Sequence, residues 1–213
     1  MKRMILIDGN SLMYRAYFGI ADTSTLKPNS KGVFTNAIMS FARMMNHILQ
    51  EQFDNILVAF DAGKHTFRHD IMTDYKAGRA HMPEEMRMQI AHIKNLLDLL
   101  GVKRYEVALY EADDIIGTMA KKAEGEGYHV DIYSSDKDLL QLITDNTTVH
   151  LTKKGLTDLE DYTPSHFEEV YGIKVPQFID LKALMGDKSD NISGVPGIGI
   201  KKAVKYLCEY KSV

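Results

Sequence analysis

Nine carboxylate residues stand in short clusters along this 213-residue chain, and most clusters follow an apolar run typical of a β-strand. At the carboxyl ends of parallel strands, such residues would gather at one edge of a sheet. Two carboxylates about 4 Å apart repel by roughly 4 kcal/mol at a surface-like effective dielectric constant, so this edge would need cations. The residue types therefore predict a pocket for divalent metal ions. The nine residues are Asp8, Asp61, Glu111, Asp113, Asp114, Asp136, Asp138, Asp187 and Asp190.

Each cluster alone has a plainer interpretation. Asp8 and Asp61 lie close to glycines and are of a type common in turns, and acids at the start of a helix often cap it. A cap needs one acid, however, whereas Glu111–Asp114 holds three acids in four residues. Carboxylate oxygens are the ligands that Mg²⁺ and Mn²⁺ prefer, and two such ions suit phosphoryl displacement. On an ideal helix Glu111 and Asp114 share one face, whereas Asp113 points away from it. Either the helix therefore starts after Glu111, or one of the three acids supports the others without binding metal directly.

Two further segments carry positive charge or exposed backbone. The stretch from Gly63 to Met82 interleaves Lys, Arg and His with aromatic residues, which predicts either a solvated loop or a contact surface for a single strand of nucleic acid. The glycines of Gly194–Gly199 precede a helix rich in lysine. They follow no predicted strand and lack a third glycine at dinucleotide-binding spacing. We therefore interpret the segment as a helix–hairpin–helix unit that contacts backbone phosphates of a duplex.

The elements that must position these residues alternate along the chain, which predicts βαβ units and a mainly parallel sheet. The expected fold class is α/β, with helices on both faces of the sheet. After about Thr163 the strand pattern disappears and a helical region is expected. The predicted strands are Met4–Asp8, Asn55–Asp61, Val102–Glu106, Val130–Ser134 and Thr148–Leu151. The predicted helices are Asn36–Gln50, Pro83–Leu100, Glu111–Glu124, Leu139–Leu142, Pro164–Tyr171, Pro176–Leu184 and the end of Gly194–Cys208.

Composition limits the class of protein. No apolar stretch approaches the roughly 18 residues that a membrane span needs, so no membrane partner is expected. Cys208 is the only cysteine, which excludes a disulfide framework and favours a reducing cytoplasm. The net charge of −3 argues against nucleic-acid binding only as an average, because the 26 Lys and Arg outnumber the acids outside the nine.

The motifs together resemble the 5′-nuclease (flap endonuclease) family, and within it most closely the 5′-3′ exonuclease domain of bacterial DNA polymerase I. The resemblance implies a PIN-like α/β nuclease core over residues 1–163, with a basic arch at 63–90. It also implies a helical region at 164–213 that contains the helix–hairpin–helix. The matching segments are Leu6–Ser11, Phe60–Lys64, Phe67–His69, Tyr75–Arg79, Glu111–Asp114, Ser135–Asp138, Gly186–Asn191 and Gly194–Gly199.

The same resemblance implies metal-dependent hydrolysis of DNA phosphodiesters near 5′ ends, on flaps, nicks or RNA primers, in replication and repair. Two Mg²⁺ ions are expected, with Mn²⁺ as a substitute, and a K⁺ ion at the hairpin. The first metal region would hold Asp8, Asp61, Glu111, Asp113 and Asp114. The second would hold Asp136, Asp138, Asp187 and Asp190, with Asp113 close to both and with Asp8 and Asp114 behind the direct ligands. Lys76 and Arg79 would face the scissile phosphate as catalytic cations. The expected DNA contacts are Lys64, Arg68, Tyr75, Gly194, Gly197, Gly199, Lys201 and Lys202, with Tyr75 stacking on a displaced base.

Two departures from the family pattern bear on these expectations. Asn10 and His65 replace residues common in relatives, but neither is an obvious ligand. The chain stops at Val213, where family domains continue with more helices, so we expect a truncated helical region, a naturally short protein or the nuclease part of a split polymerase. The expected partners are DNA and a DNA polymerase domain or protein, and the chain is expected to be a monomer. A non-catalytic DNA-binding fragment is the alternative; a phosphohydrolase for small substrates would leave the basic stretch and hairpin without a role.

Overall fold

The computed structural model describes residues 1–19, 27–153 and 158–213, and it is built around a six-stranded sheet. The strand order is β3-β2-β1-β4-β5-β6, with every neighbouring pair parallel except the antiparallel pair β5 and β6. This arrangement confirms the predicted mainly parallel α/β fold. The strands are β1 (Lys2–Asp8), β2 (Asn55–Thr66), β3 (Lys103–Leu109), β4 (Tyr128–Ser134), β5 (Thr147–Thr152) and β6 (Leu159–Tyr162).

Helices cover both faces of this sheet. β1 lies in the middle because its apolar residues are buried on both sides, as is typical of a central parallel strand. Ile5 and Ile7 belong to the hydrophobic core under the first, second, fourth and fifth helices, whereas Met4 and Leu6 belong to the core on the other face, under the sixth to ninth. The helices are α1 (Gly9–Phe18), α2 (Asn36–Ile48), α3 (Phe67–Ile71), α4 (Glu84–Arg87), α5 (Ile90–Leu99), α6 (Ala112–Gly125), α7 (Pro164–Tyr171), α8 (Phe178–Met185) and α9 (Ile200–Tyr210).

The predicted helix Pro83–Leu100 is two helices, α4 and α5, separated at Gln89. The side chain of Gln89 is completely buried and accepts hydrogen bonds from the backbone nitrogens of Ala37 and Ile38 at 2.9 and 3.2 Å. These nitrogens belong to the first turn of α2, whose donors have no partner within the helix. Gln89 therefore caps a neighbouring helix, and this tertiary contact accompanies the break that the helical pattern did not reveal.

Strand β2 is longer than predicted, and it changes the start of the basic stretch. The sequence predicts an end at Asp61, but β2 continues to Thr66, which pairs with Leu109 of β3 after an irregular register. Within the expected arch, residues 63–90, the chain thus begins as strand and continues as α3, turns and α4. The polar sequence that follows Asp61 carries no strand pattern, and within this extension only Thr66 pairs with β3.

The expectation that strands disappear after Thr163 is wrong in one place. Gly186–Asp187 and Ile192–Ser193 form a two-stranded antiparallel hairpin, β7 and β8, between α8 and α9. Strands of two residues are too short to give a periodic pattern. β6 was also absent from the sequence prediction. None of the helices within the described ranges is long and apolar enough to cross a membrane.

Candidate functional site

Asp8 lies where β1 ends and α1 begins, and its carboxylate is held on both sides. One oxygen accepts a hydrogen bond from the Ser11 backbone nitrogen at 2.9 Å, and the other accepts one from the Ser134 hydroxyl at 2.8 Å. Ser134 is completely buried and ends β4, so this bond joins two neighbouring strands. Gly9 is required beside Asp8, because a Cβ there would lie 2.5 Å from the ring of Phe60. The turn that presents Asp8 is therefore fixed by packing.

Hydrogen bonds connect Asp8 with the surroundings of three further carboxylates, Asp61, Asp113 and Asp136. Ser134 bonds both the Asp8 carboxylate and the Asp136 backbone nitrogen, and Asp61 accepts from Ala112, the residue before Asp113. Burial raises the pKa of Asp113, and so do the negative charges of the other three. Burial likewise raises the pKa of Asp8, against the two hydrogen bonds it accepts, and the charges of Asp61 and Asp136 raise it further. Such raised values indicate a shortage of positive charge. We call these residues the four-acid group.

Backbone and amide donors orient two other members of the four-acid group, Asp61 and Asp136. Asp61 accepts hydrogen bonds from the Asn10 side chain and from the Ala112 backbone nitrogen, the latter at 2.7 Å. Asp136 accepts from the Asp138 backbone nitrogen at 2.8 Å and caps the 3₁₀ helix Lys137–Leu142. The strand ends and helix starts thus hold these oxygens at one edge of the sheet, as the sequence predicts.

Glu111 and Asp190 lie beside the four-acid group, and residues of the basic stretch cover them. Lys76 donates a hydrogen bond to Glu111 at 2.8 Å. The hydroxyl of Tyr75 lies between the two acids, 3.2 Å from Glu111 and 3.1 Å from Asp190. Arg79 forms an ion pair with Asp190. The aromatic ring expected to stack on a base is therefore buried in this structure, and the catalytic cations expected to face a phosphate are paired with acids.

The backbone of the basic stretch is fixed to the turn that carries Asp190. The Lys76 nitrogen donates to the Asp190 carbonyl at 2.9 Å, and the Asn191 side chain donates to the Asp74 carbonyl at the same distance. Both Lys76 and Asn191 have positive φ, at 56° and 59°. Residues other than glycine rarely adopt this conformation, and it often marks a functional site. The two segments therefore dock through backbone contacts, independently of the ion pairs.

Asp114 stands outside the four-acid group and pairs with Arg68. The guanidinium donates two hydrogen bonds to the carboxylate, each of 2.7 Å, in a bidentate geometry. Burial acts to raise the pKa of Asp114, but the bonds from Arg68 outweigh it and the pKa is lowered. Helix α6 starts at Ala112 with Glu111 as its N-cap, so the first of the two alternatives for this motif is the correct one.

Asp138 and Asp187 share one cation, Lys182, which the sequence did not single out. Its ammonium group lies 2.7 Å from an Asp138 oxygen and also contacts Asp187. Burial acts to raise the pKa of Asp187, but Lys182 and two hydrogen bonds from Ser189 hold it well below its usual range. Burial raises the pKa of Asp138 despite the same lysine. Lys182 thus supplies positive charge to a second pair of acids.

The glycine-rich segment Gly194–Gly199, the hairpin of the predicted helix–hairpin–helix, requires close approach of backbone to backbone. A Cβ on Gly194 would lie 2.2 Å from the Met185 carbonyl carbon, so this position accepts no side chain. Gly197 has a φ of +77°, which glycine adopts readily, and Gly199 is the N-cap of α9. Lys201 is exposed, as is Lys64 in the basic stretch, and Lys202 donates to the Gly197 carbonyl at 2.9 Å. The exposed backbone and lysines at the start of α9 suit phosphate contacts.

The predicted carboxylates meet at one edge, and some of their contacts cross the division into two predicted metal regions, which stays a prediction. Asp136 lies with Asp8, Asp61 and Asp113, whereas Asp190 lies with Glu111. Among the described residues no three His, Cys, Asp or Glu side chains are arranged as a preformed metal site. The donor set nevertheless fits a hard divalent cation, since it consists of carboxylates, and the raised pKa values of two of them, Asp8 and Asp113, reflect a shortage of positive charge. The assignment of single acids to single ions stays a prediction.

Three residues that the sequence analysis did not assign help to build this site. Ser134 and Asn10 each bond a carboxylate of the four-acid group, and Lys182 joins Asp138 to Asp187. A lone serine, asparagine or lysine has no spacing pattern that reveals such a role. The one available signal was adjacency, because Ser134 stands two residues before Asp136, and Lys182 five before Asp187.

Comparison with known proteins identifies the family. A family model described as "5'-3' exonuclease, N-terminal resolvase-like domain" matches residues 3–172, and one described as "5'-3' exonuclease, C-terminal SAM fold" matches residues 173–213. DNA polymerase I of Bacillus subtilis is 53% identical over 213 residues, and DNA polymerase I of Bacillus caldotenax is 50% identical over the same length. Both alignments cover 100% of this chain and 24% of the polymerase. The chain thus spans about a quarter of the length of these curated relatives.

Solved structures agree with the sequence matches. The flap endonuclease of bacteriophage T5, in a pseudo-enzyme-product complex with DNA and metal ions, is 26% identical with a TM-score of 0.75. That alignment covers 100% of this chain and 76% of the phage protein. The T5 5′-exonuclease with bound zinc ions is also 26% identical, with a TM-score of 0.76 over 99% of this chain and 76% of that one. Two matching family models, relatives at about half identity and a shared fold give one conclusion: the chain belongs to the 5′-3′ exonuclease family.

Proposed function

We propose that this chain is a divalent-metal-dependent 5′-3′ exonuclease and flap endonuclease that hydrolyses DNA phosphodiesters near 5′ ends. The observation that carries the proposal is the four-acid group, in which burial and neighbouring negative charges raise the pKa of Asp8 and of Asp113, beside a basic segment that contacts Glu111 and Asp190. Buried like charges of this kind are costly unless a cation joins them. A phosphodiester substrate, which is itself an anion, could approach such a site only with metal and basic residues present.

Two Mg²⁺ ions, or Mn²⁺ in their place, would activate a water and stabilise the leaving oxygen when bound. The residues of this chain proposed to hold them are those with carboxylate oxygens at the shared edge. Asp8 and Asp114 would support the others, since Ser134 and Arg68 already engage them. The proposed ligands are Asp61, Glu111, Asp113, Asp136, Asp138, Asp187 and Asp190.

Lys76 and Arg79 have the role of holding the scissile phosphate in this proposal. In this structure Lys76 pairs with Glu111 and Arg79 pairs with Asp190. A bound divalent ion would balance the charge of these carboxylates in place of the two cations. Once metal balances those acids, the same cations are available to a phosphate oxygen. Their contribution is charge stabilisation in the transition state, which is worth most in a site that excludes water.

The hairpin and the lysines of α9 would hold the duplex part of the substrate. Backbone nitrogens at Gly194–Gly199, with Lys201 and Lys202, suit contacts to phosphates and carry no base specificity. A K⁺ ion at this hairpin belongs to the same proposal. Primer removal and repair, together with a polymerase domain as partner, follow from the relatives, whose remaining length lies outside this chain.

A cleavage assay on DNA with a 5′ flap tests the proposal. Wild-type protein should cut the flap with Mg²⁺ or Mn²⁺, and Asp61→Ala should not. Lys76→Ala should cut about 10²–10³-fold more slowly, the range typical for loss of one stabilising group. Asp145→Ala and Lys121→Ala, which change exposed residues of the same types elsewhere, are the matched controls. Binding of the flap without cleavage under any divalent ion would instead support a non-catalytic DNA-binding fragment.

A further inference from the structure

An exposed apolar surface lies beside the acids, and nothing in the proposed mechanism uses it. It consists of Phe67, Leu109 and Tyr110, which we call the Phe67–Tyr110 surface. Leu109 is 51% exposed and Tyr110 is 48% exposed, whereas Phe67 is half-buried. The two aromatic rings lie 5.5 Å apart between centroids and are inclined at 52°. Exposed apolar side chains that cluster in this way often mark a binding surface.

The backbone holds this surface in place by a strained turn. Leu109 ends β3 with a φ of +70°, a conformation that a branched apolar residue rarely adopts. The next residue, Tyr110, donates its backbone nitrogen to the Val107 carbonyl at 3.1 Å and so closes the turn. Thr66, just before Phe67, pairs with Leu109 across the sheet. Two strand ends therefore bring the two aromatic rings together.

The surface is continuous with the proposed nuclease site through its chain neighbours. Tyr110 directly precedes Glu111, and Phe67 directly precedes Arg68. The Arg68 guanidinium lies 4.7 Å from the centroid of the Phe67 ring and 4.0 Å from a Glu111 oxygen. Lys64 is exposed on the same segment. An aromatic ring next to cations is the combination that contacts single-stranded nucleic acid, because bases stack on the ring while cations follow the phosphates.

We propose that Phe67 and Tyr110 stack against an unpaired nucleotide of the 5′ strand. This inference rests on the proposed nuclease function and adds a contact that favours substrates with a single-stranded 5′ end. Tyr75, the ring expected to do so from the sequence, is buried between Glu111 and Asp190. The cations beside the rings favour a nucleotide over a protein partner, because Arg68 and Lys64 stand where they can follow the phosphates of a strand whose base lies on the rings.

Binding measurements without cleavage test the proposal. DNA with a 5′ flap and the same duplex with a nick but no unpaired nucleotide are titrated by fluorescence anisotropy, with EDTA present. Tyr110→Leu should weaken binding of the flapped DNA by about tenfold, within the range measured for loss of one base-stacking ring, and leave the nicked DNA within about twofold. Phe67→Leu should act in the same direction, and Tyr110→Phe should bind as wild type does.

Tyr105→Leu is the matched control, since Tyr105 is equally exposed on β3 but lies four residues before Leu109. Unchanged flap binding by Tyr110→Leu and Phe67→Leu would overturn the proposal, as would an equal loss on both DNAs. A loss of self-association in sedimentation by both Tyr105→Leu and Tyr110→Leu would assign the surface to a second copy of the chain instead. Cleavage of the flapped DNA by wild type with Mg²⁺ is measured in parallel. Its absence would refute the nuclease function without affecting the comparison of the two DNAs.

Discussion

Replacing Ser134 by alanine should weaken divalent-metal binding although this residue is no ligand. Its hydroxyl donates to Asp8 at 2.8 Å and accepts from the Asp136 nitrogen at 2.9 Å, so it positions two members of the four-acid group. A buried hydrogen bond to a charged group contributes about 1.5–3 kcal/mol. A loss of that size corresponds to about 10–100-fold in affinity, which is also the range for residues that support metal ligands.

The structure also predicts a change in pH dependence for this variant. Burial raises the pKa of Asp8, and the hydrogen bonds from Ser11 and Ser134 partly offset that rise. Without the Ser134 hydroxyl the carboxyl group should hold its proton to higher pH. Because a metal ion competes with that proton, the midpoint of Mn²⁺ binding should move to higher pH in Ser134→Ala.

Calorimetric titration with Mn²⁺ at several pH values measures both effects. Ser135→Ala is the control, since this neighbouring serine is exposed and its hydroxyl forms a hydrogen bond with the Ser11 hydroxyl instead of a carboxylate. Excess Mn²⁺ should restore DNA cleavage by Ser134→Ala if only metal affinity is reduced. An Mn²⁺ affinity of Ser134→Ala within about threefold of wild type, with an unchanged pH midpoint, would show that Ser134 does not position the metal-binding carboxylates.

Three further outcomes follow from contacts away from the four-acid group. Asp131→Asn should lower the free energy of unfolding in urea by about 3–5 kcal/mol, because buried Asp131 accepts hydrogen bonds from Arg3 and His150. Asp161→Asn, which removes an exposed partner of the same histidine, should cost about 0–1 kcal/mol, and equal costs would contradict the assignment. Burial acts to lower the pKa of His150, but hydrogen bonds to Asp131 and Asp161 raise it. Its stabilising effect is therefore fully present below about pH 6.5 and lost as pH rises through the folded-state pKa, so wild type and His150→Gln should converge in unfolding free energy from pH 6 to pH 9. Lys201→Ala should reduce the slope of log affinity against log salt for duplex DNA by about one, and an unchanged slope would remove this lysine from the interface.

The position of the acids could be predicted because it depends on local pattern. The apolar run before Asp8 is buried on both faces, so it forms a central parallel strand and places its last residue at the functional edge. The roles of Ser134 and Lys182 could not be predicted in this way. Ser134 bonds Asp8 and Lys182 contacts Asp138, carboxylates that only folding brings near, and adjacency to Asp136 and Asp187 does not reveal those contacts.

The expectations from the sequence and the observed structure differ most in the basic stretch, Gly63–Met82. Its composition predicts either a solvated loop or a contact surface for a single strand, and the family resemblance implies that Tyr75 stacks on a displaced base. The structure instead buries Tyr75, because its hydroxyl contacts both Glu111 and Asp190. The extension of β2 to Thr66 could not be predicted either. Thr66 pairs with Leu109 of β3, and such a tertiary contact leaves no pattern in the local sequence.

Divalent metal bound at the four-acid group is the feature on which the proposed activity depends most, and anomalous diffraction from crystals soaked in Mn²⁺ tests it directly. We predict two ions at the edge of the sheet in wild type, at least one of them bound by Asp113. In Asp113→Asn that ion should be absent under the same soak, while Asp145→Asn should keep both. Crystals that hold no Mn²⁺ among these carboxylates, or equal Mn²⁺ occupancy in Asp113→Asn, would contradict the account.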